Sequence, residues 1–174
     1  MQLIFKKTQL TDIDRIMEII TQAQQYFKDN NIDQWQNNYP NTDTIKQDIT
    51  NGESYLAQTV DQNNLIVGTV VLSFEPEPTY TKIYEGAWLT NDEPYAVIHR
   101  LAVANDIKGR GISSFIMSQC ESLCKDKNVR SIKIDTHRNN KSMLRHIEKE
   151  GYVYTGIIYL EDGAERVAYE KLVL

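Results

Sequence analysis

VIHRLAVANDIKGRGISSFIM, residues 97–117, joins an apolar run, a turn with two closely spaced glycines and an amphipathic helix without interruption. Val97, His99, Leu101 and Val103 alternate with Ile98, Arg100 and Ala102, which predicts a buried strand carrying two polar side chains on opposite faces. Ala104-Asn105-Asp106 breaks that period. Beyond the glycines, Ile112, Phe115, Ile116, Gln119, Cys120 and Leu123 recur at helical spacing, so a helix starts between Gly109 and Ser113. The first amides of such a helix have no carbonyl of their own to bond, and the positive end of its dipole favours an anion. Gly109 and Gly111 lack Cβ atoms and let a phosphate approach the main chain, while Lys108 and Arg110 add positive charge beside it. The plainer reading of the same residues is a turn with one glycine as a helix cap. Neither a P-loop nor a dinucleotide fingerprint is present, because the Gly-Lys-Ser/Thr ending and the third glycine are both missing.

A chain of 174 residues with 41% apolar content suits one domain, residues 1–174, with a core that needs no disulfide or metal. A net charge of -5 argues against a nucleic-acid surface and suits a cationic acceptor such as an amine. Cys120 and Cys124 share a helix face but lack two further ligands nearby, so core packing is expected and no metal site. No apolar run approaches the length of a membrane span and no signal-like segment opens the chain, so a cytoplasmic protein that meets no membrane is expected.

Working outward, Leu3 to Lys6 reads as a strand, and Thr11 as the cap of a helix with an apolar stripe at Ile13, Ile16, Met17, Ile20, Ala23 and Phe27. A polar loop from Asp29 to Thr42 holds Trp35 and Tyr39, and a short helix follows over Thr44 to Asn51. Tyr55 to Val60 and Leu65 to Phe74 form a hairpin about Asp61-Gln62-Asn63-Asn64. Glu75 to Pro94 is rich in proline, carboxylates and aromatics and reads as a long excursion ahead of the central strand. Arg130 to Thr136 is a strand, Asn140 to Lys149 a helix, and Tyr152 to Leu160 and Arg166 to Leu172 the last two strands. This order predicts a mixed α/β sheet with helices packed on it.

Lys108-Gly109-Arg110-Gly111-Ile112-Ser113 resembles the GNAT superfamily of acetyl-CoA-dependent N-acetyltransferases, whose signature is Gln/Arg-x-x-Gly-x-Gly/Ala on the same strand, turn and helix. Lysine stands at the first position and Ser113 at the small-residue position. A second block is similar too: Ile132, Ile134 and Thr136 lead to Asn140, and Gly151-Tyr152 follows. The resemblance covers most of the chain. It implies a mostly antiparallel sheet with one splayed parallel pair, Tyr95 to Val103 beside Arg130 to Thr136, flanked by about four helices. It also implies acetyl-CoA as co-substrate: the diphosphate at Lys108, Gly109, Arg110, Gly111, Ser113 and Ser114, the pantetheine amides on the main chain of Leu101 and Val103, and a cofactor hydrogen bond from Asn140. Asn140 equally suits a helix N-cap, and Lys141 and Arg145 suit either the ribose phosphate or a solvated face.

Acetyl transfer to an amine needs a base for the ammonium and a proton for the leaving thiolate. His99, with the parity of Leu101 and Val103, is the candidate base; a packed histidine is the competing reading. The tyrosine that family members often carry seven residues after the asparagine is Ile147 here, so Tyr152 is taken as a substitute acid beside Tyr154, Tyr159 and solvent. The function expected is an N-acetyltransferase working by direct attack in a ternary complex on a small-molecule or protein amine. The alternative is a CoA-binding sensor or interaction module without turnover. Family habit also suggests a homodimer.

Overall fold

The computed structural model describes residues 1–61 and 63–173. Its strands are β1 (Leu3–Lys7), β2 (Ser54–Thr59), β3 (Ile66–Ser73), β4 (Tyr95–Val103), β5 (Ser131–Thr136), β6 (Val153–Tyr159) and β7 (Glu165–Leu172). Its helices are α1 (Ile13–Asp29), α2 (Thr42–Thr50), α3 (Ile112–Asp126) and α4 (Lys141–Lys149). The strands hydrogen-bond in the order β1-β2-β3-β4-β5-β7-β6, with β4 and β5 parallel, so the mixed sheet and its four helices match the expected class. The chain divides into two compact units, Met1–Leu72 with His99–Gln119, and Ser73–Ile98 with Cys120–Leu174. Strand β4 contributes to both.

In the first unit, β1 and β2 run antiparallel with Phe5 opposite Ala57, and β2 and β3 run antiparallel with Leu56 opposite Thr69. Gln62 of the expected hairpin turn lies outside the described residues. Helix α1 buries Ile13, Ile16, Ile19, Ile20 and Phe27, so its stripe gains Ile19, while Met17 and Ala23, read into it from the period, are only half-buried. Thr11 does not cap it. Leu10–Asp12 form a 3-10 turn in which the Gln9 amide donates to the Asp12 carboxylate at 2.8 Å, and Asp12 takes the N-cap position. Helix α2 starts two residues earlier than expected, because Asn41 Oδ1 accepts from the Thr44 amide at 3.0 Å and ends the loop there.

Gly68 decides how α3 meets β3. A Cβ at residue 68 would stand 2.7 Å from Ile116 Cδ1 and 3.2 Å from the Ala102 carbonyl, so the helix lies against bare backbone. Ile112 and Ile116, both buried, use that close approach to pack.

In the second unit, β4 pairs with β5 from Tyr95 opposite Ser131 to Val97 opposite Lys133, and β7 runs antiparallel to both β5 and β6. Tyr80, Val97, Ile158 and Ala168 form a core cluster with Ile83, Trp88, Tyr95 and Leu160 against it. The 75–94 excursion is tied down along its length. Tyr80 donates its hydroxyl to Asp135 at 2.6 Å, Trp88 Nε1 donates to the Tyr80 carbonyl at 3.0 Å, and Tyr84 exchanges backbone bonds with Ile157 at 2.8 Å. Buried Glu170 accepts from the Leu89 amide, the Thr90 hydroxyl and the Ser131 hydroxyl, at 2.5, 2.5 and 2.6 Å. The Lys133 ammonium sits 3.9 Å from the Tyr95 ring centre and 4.3 Å from that of Trp88.

Candidate functional site

Most of the residues singled out by sequence lie on one continuous path through the first unit, from His99 to Ser114. After Val103 the Ala104 amide bonds the Val67 carbonyl at 2.9 Å, and Asn105–Ile107 make a 3-10 turn with Ile107 buried beneath it. The turn then rises to the surface, where Lys108, Gly109, Arg110 and Gly111 are all exposed. Gly109 and Gly111 have φ of +79° and +77°, and a Cβ added at either would meet nothing within 4 Å. Backbone conformation therefore demands glycine here, while the space above remains open for a ligand.

The first α-turn of α3 is the bond from the Phe115 amide to the Gly111 carbonyl, at 2.9 Å. The amides of Ile112 and Ser113 precede it, in the stretch of a helix that has no carbonyl of its own to bond. Backbone donors thus stand at the start of a fifteen-residue helix, with its dipole behind them and Lys108 and Arg110 beside them. These features fit the diphosphate of a coenzyme. Two side chains of α1 brace the turn: Gln22 Oε1 accepts from the Asn105 amide at 2.9 Å, and the Lys108 ammonium lies 5.4 Å from the Tyr26 ring centre. Neither stands out in sequence, since both fall on the polar flank of an amphipathic helix.

Strand β4 departs from the alternation expected of it. Arg100 has φ of +50°, a left-handed residue in the middle of a strand, and Leu101 and Ala102 are both buried after it. The parity argument that put His99 on one face with Leu101 and Val103 is thereby corrected, because a left-handed residue acts as a bulge and resets which side each following residue takes. The Arg100 guanidinium is held from two other elements. Arg100 Nε donates to Asp48 Oδ2 at 2.7 Å, Nη2 donates to Asp48 Oδ1 at 2.5 Å, and Nη1 donates to the Tyr39 hydroxyl at 2.9 Å. The identity of that carboxylate was not read from sequence, although Asp48 stands three residues after buried Ile45, on the apolar side of α2. A buried acid at that spacing was the available signal. Burial lifts the Asp48 carboxyl above its ordinary range, opposed by Arg100 and by the charge of His99.

Asn140 and Tyr152 belong to the second unit. Asn140 is 3% exposed and caps α4: its Oδ1 accepts from the Met143 amide at 3.3 Å, and its Nδ2 donates to Thr136 Oγ1 at 3.2 Å. The capping role is thus the one displayed, and Nδ2 carries a second hydrogen. Tyr152 is 4% exposed, its hydroxyl has no hydrogen-bond partner among the described residues, and burial followed by nearby Glu121, Cys120 and Cys124 raises it well above the usual tyrosine range. Ile147 is fully buried. Burial likewise pushes the thiols up, that of Cys124 to about 12, so neither cysteine supplies a thiolate at neutral pH.

The family profile described as acetyltransferase (GNAT) family matches residues 15–152. Among solved structures, a GNAT-family acetyltransferase from Streptococcus agalactiae 2603 is 29% identical, with 98% of this chain and 95% of that one covered and a TM-score of 0.87. Ard1 from Thermoplasma volcanium shares the fold at 18% identity and a TM-score of 0.72, covering 100% and 99% of the two chains. The PaiA N-acetyltransferase from Thermoplasma acidophilum, solved in complex with coenzyme A, shares it at 14% and 0.71, with 99% of each chain covered. No curated protein matches the chain.

Proposed function

The chain belongs to the acetyltransferase (GNAT) family, and from that premise we propose that it moves acetyl from acetyl-CoA to a primary amine by direct attack, with both substrates held at once. The observation that carries the proposal is the exposed Lys108–Gly111 turn, with two left-handed glycines under open space at the start of α3. When bound, acetyl-CoA supplies an acetyl group already activated as a thioester. The amides of Gly109, Gly111, Ile112 and Ser113, with the Ser114 hydroxyl, hold the diphosphate, and Lys108 and Arg110 balance its charge. The main chain of Leu101 and Val103 pairs with the pantetheine amides as an added strand would; in support, the register between β4 and β5 ends at Val97 among the described residues, while β4 continues to Val103.

His99 takes the ammonium proton of the acceptor, directly or through water, leaving a neutral amine. Its half-exposed position suits that traffic. Water returns the proton to the thiol side, since Ile147 is sealed in the core and Tyr152 is enclosed beside Glu121 and Cys124. The raised thiols support transfer without an acyl-enzyme. One observation favours a second reading, a CoA-binding module without turnover: the buried Ile147 at the position where the family often has a tyrosine.

Thermal shift with CoA and acetyl-CoA, followed by thiol release over a panel of polyamines, amino acids and peptides with free amino termini, tests both. Stabilisation by CoA together with thiol release is expected. Binding without release for every amine selects the second reading, and no stabilisation by CoA rejects both.

A further inference from the structure

Arg100 holds a left-handed conformation in the middle of a nine-residue strand, where a residue with a Cβ is strained. Its guanidinium is gripped from two other elements, bidentately by Asp48 on α2 and once by the Tyr39 hydroxyl in the loop before α2. The ion pair is buried, with side chains 14% and 7% exposed, and burial raises the Asp48 carboxyl despite its partner. A buried pair of this kind is a weak source of stability. Strain and desolvation together therefore point to a use other than holding the fold, and the neighbour in the chain is His99.

We infer that Asp48 and Tyr39 are positioning residues that act through Arg100: the clamp keeps residue 100 left-handed and so sets the direction of the His99 side chain and of the Leu101 main chain that follows. The inference rests on the acetyl-transfer reading above, with His99 as base. It also ties the 29–42 loop, through Tyr39, to the reacting strand. Asp48 and Tyr39 touch no substrate in this scheme. They fix geometry, and a small misplacement of a base is costly to turnover.

The test compares Tyr39→Phe, Asp48→Asn, Arg100→Ala and Arg100→Gly with the wild type, using the best amine of the panel. Steady-state thiol release, the CoA-induced thermal shift and the backbone carbon chemical shifts of residue 100 are measured. Asp48→Asn and Arg100→Ala lower kcat about 10- to 100-fold, keep KM for acetyl-CoA within about twofold and keep the CoA shift. Residue 100 moves toward extended chemical shifts in Asp48→Asn. Arg100→Gly regains part of the turnover lost in Arg100→Ala, because glycine enters the left-handed region freely. Tyr39→Phe removes only a hydroxyl from an exposed ring, folds normally, and shows a smaller loss in the same direction. Wild-type kcat in Asp48→Asn and Tyr39→Phe, whatever their melting points, overturns the inference alone. A wild type that releases no thiol with any amine overturns the transferase reading and the inference with it.

Discussion

Gly111 is fixed by backbone conformation and not by crowding. Its φ of +77° excludes an easy alanine, yet the space where a Cβ would go holds no protein atom within 4 Å. Strain alone then sets the stability cost of Gly111→Ala, about 1–2 kcal/mol, or about 2–8 °C in thermal midpoint for a chain of this size. Gly111→Asp adds a negative charge where the diphosphate is to sit. It is expected to abolish the CoA-induced thermal shift while melting close to Gly111→Ala; a normal shift with CoA would sink the diphosphate assignment. The cysteines make a second residue-scale case. With both thiols raised by burial, neither is expected to react with a disulfide reagent at pH 8 in the folded protein, and both react in denaturant. Rapid labelling of the native chain would contradict this.

At the scale of elements, the seat of α3 on β3 and the tethering of the excursion are the features that fix positions. Gly68→Ala places a methyl 3.2 Å from the Ala102 carbonyl, which cannot rotate away, and 2.7 Å from Ile116 Cδ1, whose side chain is fully buried. Overpacking of this kind costs about 1–3 kcal/mol. Because the displaced helix is the one that carries the proposed anion site, the CoA-induced shift is expected to weaken in parallel with stability; loss of stability with unchanged CoA affinity would separate the two roles. Glu170→Ala removes three hydrogen bonds at once, two of them buried, together with the carboxylate whose charge favours the Lys133 ammonium. A cost of about 3–5 kcal/mol is expected, the usual result of breaking a buried charged network. Limited proteolysis should then cut within residues 75–94, and a protease-resistant variant would show that the aromatic contacts suffice.

Across the whole molecule, burial acts in one direction on most of the shifted groups. Cys120, Cys124, Tyr80, Tyr152 and Tyr169 are all raised, with desolvation the largest cause in each. A group raised in the folded state contributes stability that is complete below its ordinary pKa and is lost as pH climbs through the raised one. For Cys124 that window runs from 9.0 to about 12. Lys108 and Lys133, lowered by burial, work in the opposite sense. Five raised thiols and phenols against two lowered lysines predict a thermal midpoint that falls steadily above pH 9.0. A flat midpoint through that window would refute it.

Periodicity and turn chemistry alone determined the element order and the glycine turn, because each of those signals lives within a few neighbouring residues, whereas the parallel pair at the centre followed from the family resemblance. The hairpin, the long excursion and the Asn140 cap were legible for the same reason. Tertiary structure decided what strand parity could not. Arg100 is left-handed because Asp48, 52 positions earlier, and Tyr39 hold its guanidinium, and no local pattern in β4 announces a partner at that distance. Gly68 has the same character, since its requirement comes from Ile116 and the Ala102 carbonyl, groups that only the packed chain brings to it.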